Sequence, residues 1–207
     1  GSLFSSKRTV EYARIFCFFV ELNNVMVLNR RAVSMRILGI DPGTAITGYG
    51  ILDKAYHQYT VIDYGCIKTP AHSPMERRLC QLYDGMCWLL KEYEPDEIAI
   101  EELFFNRNIT TAITVGQARG VIILAAAQHG VKVNEYTPLQ VKQAIAGYGK
   151  ADKKQVQFMV KNILGLAKVP SPDDVADALA IAICHSNWQS SQSWQNYAMT
   201  KPKGDNQ

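Results

Sequence analysis

The stretch Arg36-Ile37-Leu38-Gly39-Ile40-Asp41-Pro42-Gly43 decides the fold. A short apolar run ends on an acid and then on a turn signal, the pattern of a buried strand that delivers a carboxylate to its own end. A lone carboxylate is costly to bury, so Asp41 at such a position needs partners or a cation. Two more strand-like runs follow, near Ile46–Leu52 and Tyr59–Lys68, and their short spacing predicts an antiparallel meander of three strands.

Helices enter after the meander. Ser73-Pro74-Met75-Glu76 reads as a capping box with proline at the first helical position, opening a helix to about Tyr93. Asp96–Glu102 alternates and then runs apolar, a fourth strand. Thr110 to Gln128 is a helix stopped by Gly130, and Val131–Tyr136 is a fifth strand. Thr137-Pro138-Leu139-Gln140 starts another helix, Asp152 caps a further one ending near Gly165, and Ser171-Pro172-Asp173-Asp174 opens the last, to about Trp188. A meander followed by strands alternating with helices predicts an α/β fold, with one mixed five-stranded sheet and helices on both faces. That order is the ribonuclease H-like arrangement.

Residues 1–34 have a basic start and an apolar middle, so a signal peptide must be weighed. The run from Ile15 to Leu28 is broken by Glu21, Asn23 and Asn24, which also denies it the ~20 apolar residues of a membrane span. Gly1-Ser2 reads as a cloning scar, and residues 1–34 as an extension, tag or upstream read-through, before a natural start at Met35. The expected domain is 35–188, with a flexible Ser/Gln/Asn-rich tail at 189–207.

The net charge of +3 misleads. Residues 1–34 hold five Lys/Arg against two Asp/Glu, which is the whole excess; from Met35 onward there are 17 of each sign. A nucleic-acid partner must therefore be argued from where the charges sit. The five cysteines (Cys17, Cys66, Cys80, Cys87, Cys184) are odd in number without CxxC spacing, and read as buried free thiols of a reducing cytoplasm. His57, His72 and His129 read as surface residues. His185 lies two turns beyond Asp177, too far along a regular helix to share its ions.

Four acids stand out by their apolar neighbours. Asp41 follows Ile-Leu-Gly-Ile, and Glu101 follows Ile98-Ala99-Ile100. Asp174 and Asp177 lie one turn apart before Ala-Leu-Ala-Ile-Ala-Ile. Adjacent strand ends and the head of a helix packed on them can gather all four, and oxygen-only ligands suit Mg²⁺ or Mn²⁺. Two such ions ~4 Å apart activate water and stabilise the leaving oxygen of a phosphodiester. Each acid also has a plainer reading. Asp41 can shape a turn, Glu101 sits with Ala99 on a strand face whose wetness the sequence leaves open, and Asp173 and Asp174 occupy a first helical turn that favours acids anyway. Asp173 and Asp174 are i−4 and i−3 from Asp177, so either can share its face.

Taken in order, Ile37–Gly50, Ile98-Ala-Ile-Glu101-Glu-Leu-Phe104, Val115-Gly-Gln-Ala-Arg-Gly120, Gln140-Val-Lys-Gln143, Lys153-Lys-Gln-Val-Gln157 and Asp174-Val-Ala-Asp177-Ala-Leu-Ala-Ile-Ala resemble the RuvC family of Holliday-junction resolvases, from Met35 to about His185. The resemblance implies a homodimer, two Mg²⁺ per active site with Mn²⁺ as a substitute, and paired symmetric nicks in four-way junction DNA during recombination and repair. It implies work with a branch-migration motor and its junction-binding subunit (RuvB and RuvA type) in the cytoplasm. It also implies that Asp41, Glu101, Asp174 and Asp177 are the catalytic metal ligands, favouring Asp174 over Asp173.

From Lys142 to Lys168 there are six lysines and one acid, Asp152, a stretch that can track phosphates or simply be a solvated helix face. Gly147 and Gly149, flanking Tyr148, suggest a loop that adapts to a backbone. The resemblance points to Lys142 and Lys153 as DNA-contacting residues and to Phe104 as an aromatic that stacks on an exposed base. Competing readings are an actin-like ATPase using Asp-Pro-Gly-Thr as a phosphate loop, which would need a second lobe, a non-catalytic junction binder, and a nuclease of the same fold acting on structured RNA.

Overall fold

The computed structural model describes residues 34–56, 58–102 and 109–200, of which 109–111 and 190–200 by their backbone alone. The expectations for residues 1–33, His57 and Phe104 lie outside these. In chain order the elements are β1 (Met35–Asp41), β2 (Ile46–Ala55), β3 (Gln58–Lys68), α1 (Met75–Tyr93), β4 (Glu97–Glu101), α2 (Ile109–Gln128), β5 (Lys132–Tyr136), α3 (Pro138–Ala146), α4 (Lys153–Ile163) and α5 (Asp173–Thr200). The sheet order is β3-β2-β1-β4-β5. β2 and β3 are antiparallel, while β4 is parallel to both β1 and β5, so the sheet is mixed as expected.

Alternation along the central strands sorts their side chains onto two faces. Leu38, Ile40, Ile98 and Ile100 share one face with Leu82, Met86 and Leu89 of α1 and Ala118, Ile122 and Ala125 of α2. Full burial of each large aliphatic side chain there contributes roughly 2 kcal/mol. The other face carries Ile37, Gly39, Ala99 and the two strand-end acids, and α5 lies across it. Glycine lets the helix come this close. A Cβ on Gly39 would stand 2.2 Å from the Ala178 carbonyl oxygen, and one on Gly48 only 2.0 Å from that of Asp174. α3 and α4 pack on α5 in turn, burying Val141, Ile145, Val156 and Val160.

Helix starts divide into those their own side chains define and those they do not. Thr137 and Gln140 form a reciprocal capping box at α3, as do Asp152 and Gln155 at α4. The box expected at Ser73 does not form. Pro74 is itself the N-cap, with φ −53° and ψ 146°, and its carbonyl accepts from the Arg77 and Arg78 amides at 3.1 Å. Helical geometry thus begins only at Met75, one residue too late for the Ser73 hydroxyl to reach an N3 amide. α2 stops as expected, with Gly130 at φ 68°. α5 runs to Thr200 rather than ending near Trp188, because no glycine or proline interrupts residues 173–201. The four cysteines among the described residues are free, and of these only Cys184 is buried, against the expectation for all; Cys66 and Cys87 are half-buried and Cys80 is exposed. Among the described residues no helix is long and apolar enough to cross a membrane.

Candidate active site

Parallel pairing sets the first two carboxylates side by side. Gly39 pairs with Ala99 and Ile40 with Ile100, so one more step of the register puts Asp41 beside Glu101 at the ends of β1 and β4. Both point to the α5 face, which answers the question the sequence left open about Glu101. The turn after Asp41 is braced from within: the buried Thr47 hydroxyl donates to the Gly43 carbonyl at 2.6 Å, and the Thr69 hydroxyl donates to the Thr44 carbonyl. Arg78 Nε donates in turn to the Thr69 hydroxyl at 2.9 Å. Asp41 is therefore held by a rigid turn without being consumed by it.

The head of α5 supplies the other two acids. Asp174 sits against β2, where a Cβ on Gly48 would meet its Cβ at 3.0 Å. Asp177, one turn on, is half-buried above the strand ends. Burial first, and then the charges of Asp177, Glu101 and Asp174, push the Asp41 pKa from an ordinary 3.8 up to about 8. Burial and Asp177 raise Glu101 too, while Lys142 and Lys153 pull it down. Asp177 is raised by burial against the opposing pull of Lys153. Asp173 behaves differently. It is exposed, and a hydrogen bond from Lys153 lowers its pKa. The pair that spacing could not separate thus faces two ways, Asp174 toward Asp41 and Asp173 toward solvent.

Lys153 is the cation of this cluster. Its Nζ lies 2.8 Å from Asp173 Oδ2 and 3.0 Å from Asp177 Oδ2. Burial works against its charge, but the two carboxylates outweigh that and raise its pKa. An open cleft of about 220 Å³ lies between them, lined by Glu101, Asp177, Lys142 and Lys153, with Val141, Val156 and other apolar side chains as its wall. Among the described residues no three acids, histidines or cysteines close on a single point as a finished metal cage. The donor set nevertheless suits a hard divalent cation: oxygen-only, crowded with like charge, and already drawing an ammonium onto Asp177. The apolar wall escaped the sequence reading, since nothing marks Val141 or Val156 as anything but core.

A second polar cluster on the same face was also missed. Glu97 opens β4 as Glu101 closes it. Its Oε2 accepts from Asn134 Nδ2 at 2.6 Å and from Gln189 Nε2 at 3.2 Å, and Lys132 Nζ stands 3.9 Å away. The fully buried His185 bonds Tyr136 Oη through Nδ1 at 2.6 Å, while its Nε2 lies 3.2 Å from Glu97 in a line too oblique for a full hydrogen bond. Burial lowers the His185 pKa, so the ring is neutral. His185 is absent from the carboxylate site, as its distance along the helix predicts. His72 is exposed as expected, but His129 is half-buried, with its ring on the Ala125 carbonyl at the end of α2.

The family model described as "Crossover junction endodeoxyribonuclease RuvC" matches residues 37–185. The chain belongs to the RuvC family. The crossover junction endodeoxyribonuclease RuvC of Desulfitobacterium hafniense is 63% identical over 153 residues, which cover 74% of this chain and 93% of that protein. The solved structure of T. thermophilus RuvC in complex with Holliday junction substrate superimposes with a TM-score of 0.73 at 38% identity, covering 76% of this chain and 96% of that one. The yeast mitochondrial Holliday junction resolvase Ydc2, at 16% identity and a TM-score of 0.60, shares the fold. Membership in the RuvC family sets aside the ATPase reading of Asp-Pro-Gly-Thr.

Proposed function

We infer that this chain is a crossover junction endodeoxyribonuclease, which resolves four-way DNA junctions by paired symmetric nicks in recombination and repair. One observation carries the reading. In a RuvC-family chain, the ends of two parallel strands and the head of α5 crowd Asp41, Glu101, Asp174 and Asp177 together, and two of them, Glu101 and Asp177, line a cleft with Lys142 and Lys153. RuvC endonucleases are metal-dependent, and we assign the four carboxylates as the ligands of two Mg²⁺, replaceable by Mn²⁺. When bound, such ions supply the charge that activates water and steadies the leaving oxygen of the phosphodiester. The protein's own part is to hold the acids apart from solvent at fixed strand ends, so that repulsion among them is relieved only by cations.

Lys142 and Lys153 are assigned to the phosphates next to the scissile bond. Lys153 already lines the cleft, paired with Asp177. Phe104, three residues beyond Glu101, is assigned to stacking on a base at the opened junction. Symmetric cutting calls for a homodimer, and the substrate calls for the branch-migration motor and its junction-binding subunit; the setting is the cytoplasm. Residues 1–34 are assigned as an extension outside the nuclease domain.

The test is cleavage of an end-labelled synthetic four-way junction by the full chain, with cut sites mapped on all strands. Paired nicks at symmetric positions, only with Mg²⁺ or Mn²⁺, are expected. Preferential cutting of structured RNA would overturn the reading, as would cutting at the normal rate by Asp41→Asn. Sedimentation of the same sample checks the dimer.

A further inference from the structure

The lysine-rich stretch does not form one face. Lys142 and Lys153 turn into the cleft. Lys154, the next residue, is a hundred degrees around the helix from Lys153 and faces away. On α4, Val156 and Val160 are the buried side, and residues 154, 158 and 161, at i, i+4 and i+7, form a single stripe on the outer side. That stripe reads Lys-Phe-Lys. Phe158 is 56% exposed, although α4 already has its core contacts in the two valines. Beside the stripe Tyr148, 49% exposed, is fixed by its hydroxyl donating to Gln155 Oε1 at 3.0 Å. Among the described residues neither Lys154 nor Lys161 has an ion-pair partner. The one acid of the stretch, Asp152, is occupied in capping α4, where its Oδ1 accepts from the Gln155 amide at 2.8 Å.

We propose that the outer face of α4 is a second DNA-contacting track, on which Lys154 and Lys161 hold phosphates of one strand of a junction arm and Phe158 packs between them against the sugars. The idea rests on the junction-nuclease reading and extends it outside the cleft. A solvated lysine face explains the two ammonium groups but has no use for a large exposed ring between them. A protein-docking face would be expected to add acids or further large apolar residues, and the stripe has neither. Spacing also fits. Seven helical residues place Lys154 and Lys161 ~10 Å apart along the axis, about the rise of three nucleotides at ~3.4 Å per phosphate on one strand. The track begins one residue from Lys153, around the same helix, so a strand leaving the cleft reaches it by turning over α4.

The experiment measures binding of the full chain to a fluorescein-labelled four-way junction in EDTA, by anisotropy, across a salt series. Lys154→Ala/Lys161→Ala is expected to weaken binding roughly tenfold and to flatten the slope of log K against log salt by about 2, since each phosphate contact contributes ~0.9. Phe158→Ala is expected to weaken binding several-fold with the slope unchanged, and Phe158→Trp to retain it. Single-turnover cutting at saturating protein with Mg²⁺ should match wild type in all three, and the binding losses should vanish on a junction with arms too short to leave the cleft. A double variant with wild-type slope and affinity overturns the track while leaving the nuclease reading intact. A wild-type chain that neither binds nor cuts the junction overturns both.

Discussion

The two ends of β4 carry the same side chain on the same face, and they do opposite things with it. Glu97 and Glu101 are four residues apart, ~13 Å along the strand. Glu97 is met by an asparagine, a glutamine and a lysine, with neutral His185 alongside, so its charge is satisfied within the fold. Glu101 is met by Asp41 and Asp177, and by lysines drawn to the excess. A buried acid with complementary partners stabilises the structure around it; a buried acid among acids costs stability and is kept for what it binds. The local sequence, Glu-Ile-Ala-Ile-Glu, is symmetric. The asymmetry comes from what α5 and β5 bring over each end.

The largest effect that tests this contrast is on cutting. Asp41→Asn or Glu101→Gln is expected to lower single-turnover cleavage on the order of a thousandfold, about 4 kcal/mol of transition-state stabilisation, while junction binding persists. Glu97→Gln should leave cutting within a few-fold of wild type. Comparable losses from Glu97→Gln and Glu101→Gln would erase the distinction between the two ends.

Next in size is the close approach of α5 to β2. Gly48→Ala puts a methyl 2.0 Å from the Asp174 carbonyl oxygen, and the backbone must shift. A loss of about 3 kcal/mol in denaturant unfolding is expected, together with reduced cutting, because the displaced residue is one of the four acids. Unaltered unfolding and cutting would mean that the helix head sits farther from the sheet.

A smaller effect should appear in the pH dependence of the metal-free protein. The Asp41 pKa rises from 3.8 unfolded to about 8 folded, and those of Glu101 and Asp177 move the same way. The folded state then holds more protons than the unfolded one between these values, so stability is full below about 4 and falls as pH rises toward 8. Thermal scans in EDTA should show Tm dropping roughly 5 °C from pH 5 to 8, with Mg²⁺ restoring it and Asp41→Asn flattening the curve. A Tm that climbs over this range in EDTA would show that the acids are already compensated. The smallest effect belongs to the other end. Tyr136→Phe removes the bond to His185 and should cost about 1 kcal/mol without changing cleavage.

How much of this was legible in the sequence depended on how local the cause was. Strand β1 announced itself by an apolar run and a turn, and α3 and α4 by capping boxes whose partners lie three residues apart. Asp41, Glu101 and Asp177 were legible because each adjoins an apolar run, whereas spacing left Asp174 level with Asp173. The start of α1 was misread, since Ser73 and Pro74 both signal a helix start and only the backbone at Pro74 chooses between them. The polar composition after Trp188 suggests an early end to α5, yet no residue there ends a helix and it runs to Thr200.

By itself the sequence determined the order of elements, the residues that can carry charge into the core, and the family, all of which follow from short-range periodicity and from motifs read in order. Tertiary structure decided which carboxylate meets which partner. It turned the Glu101 face toward α5, set Asp174 inward and Asp173 outward, divided adjacent Lys153 and Lys154 between cleft and outer surface, and assembled Glu97, Asn134, Tyr136 and His185 from three elements. These outcomes depend on helix rotation and strand register, which are set by packing summed over the whole interface. No stretch of neighbouring residues encodes them.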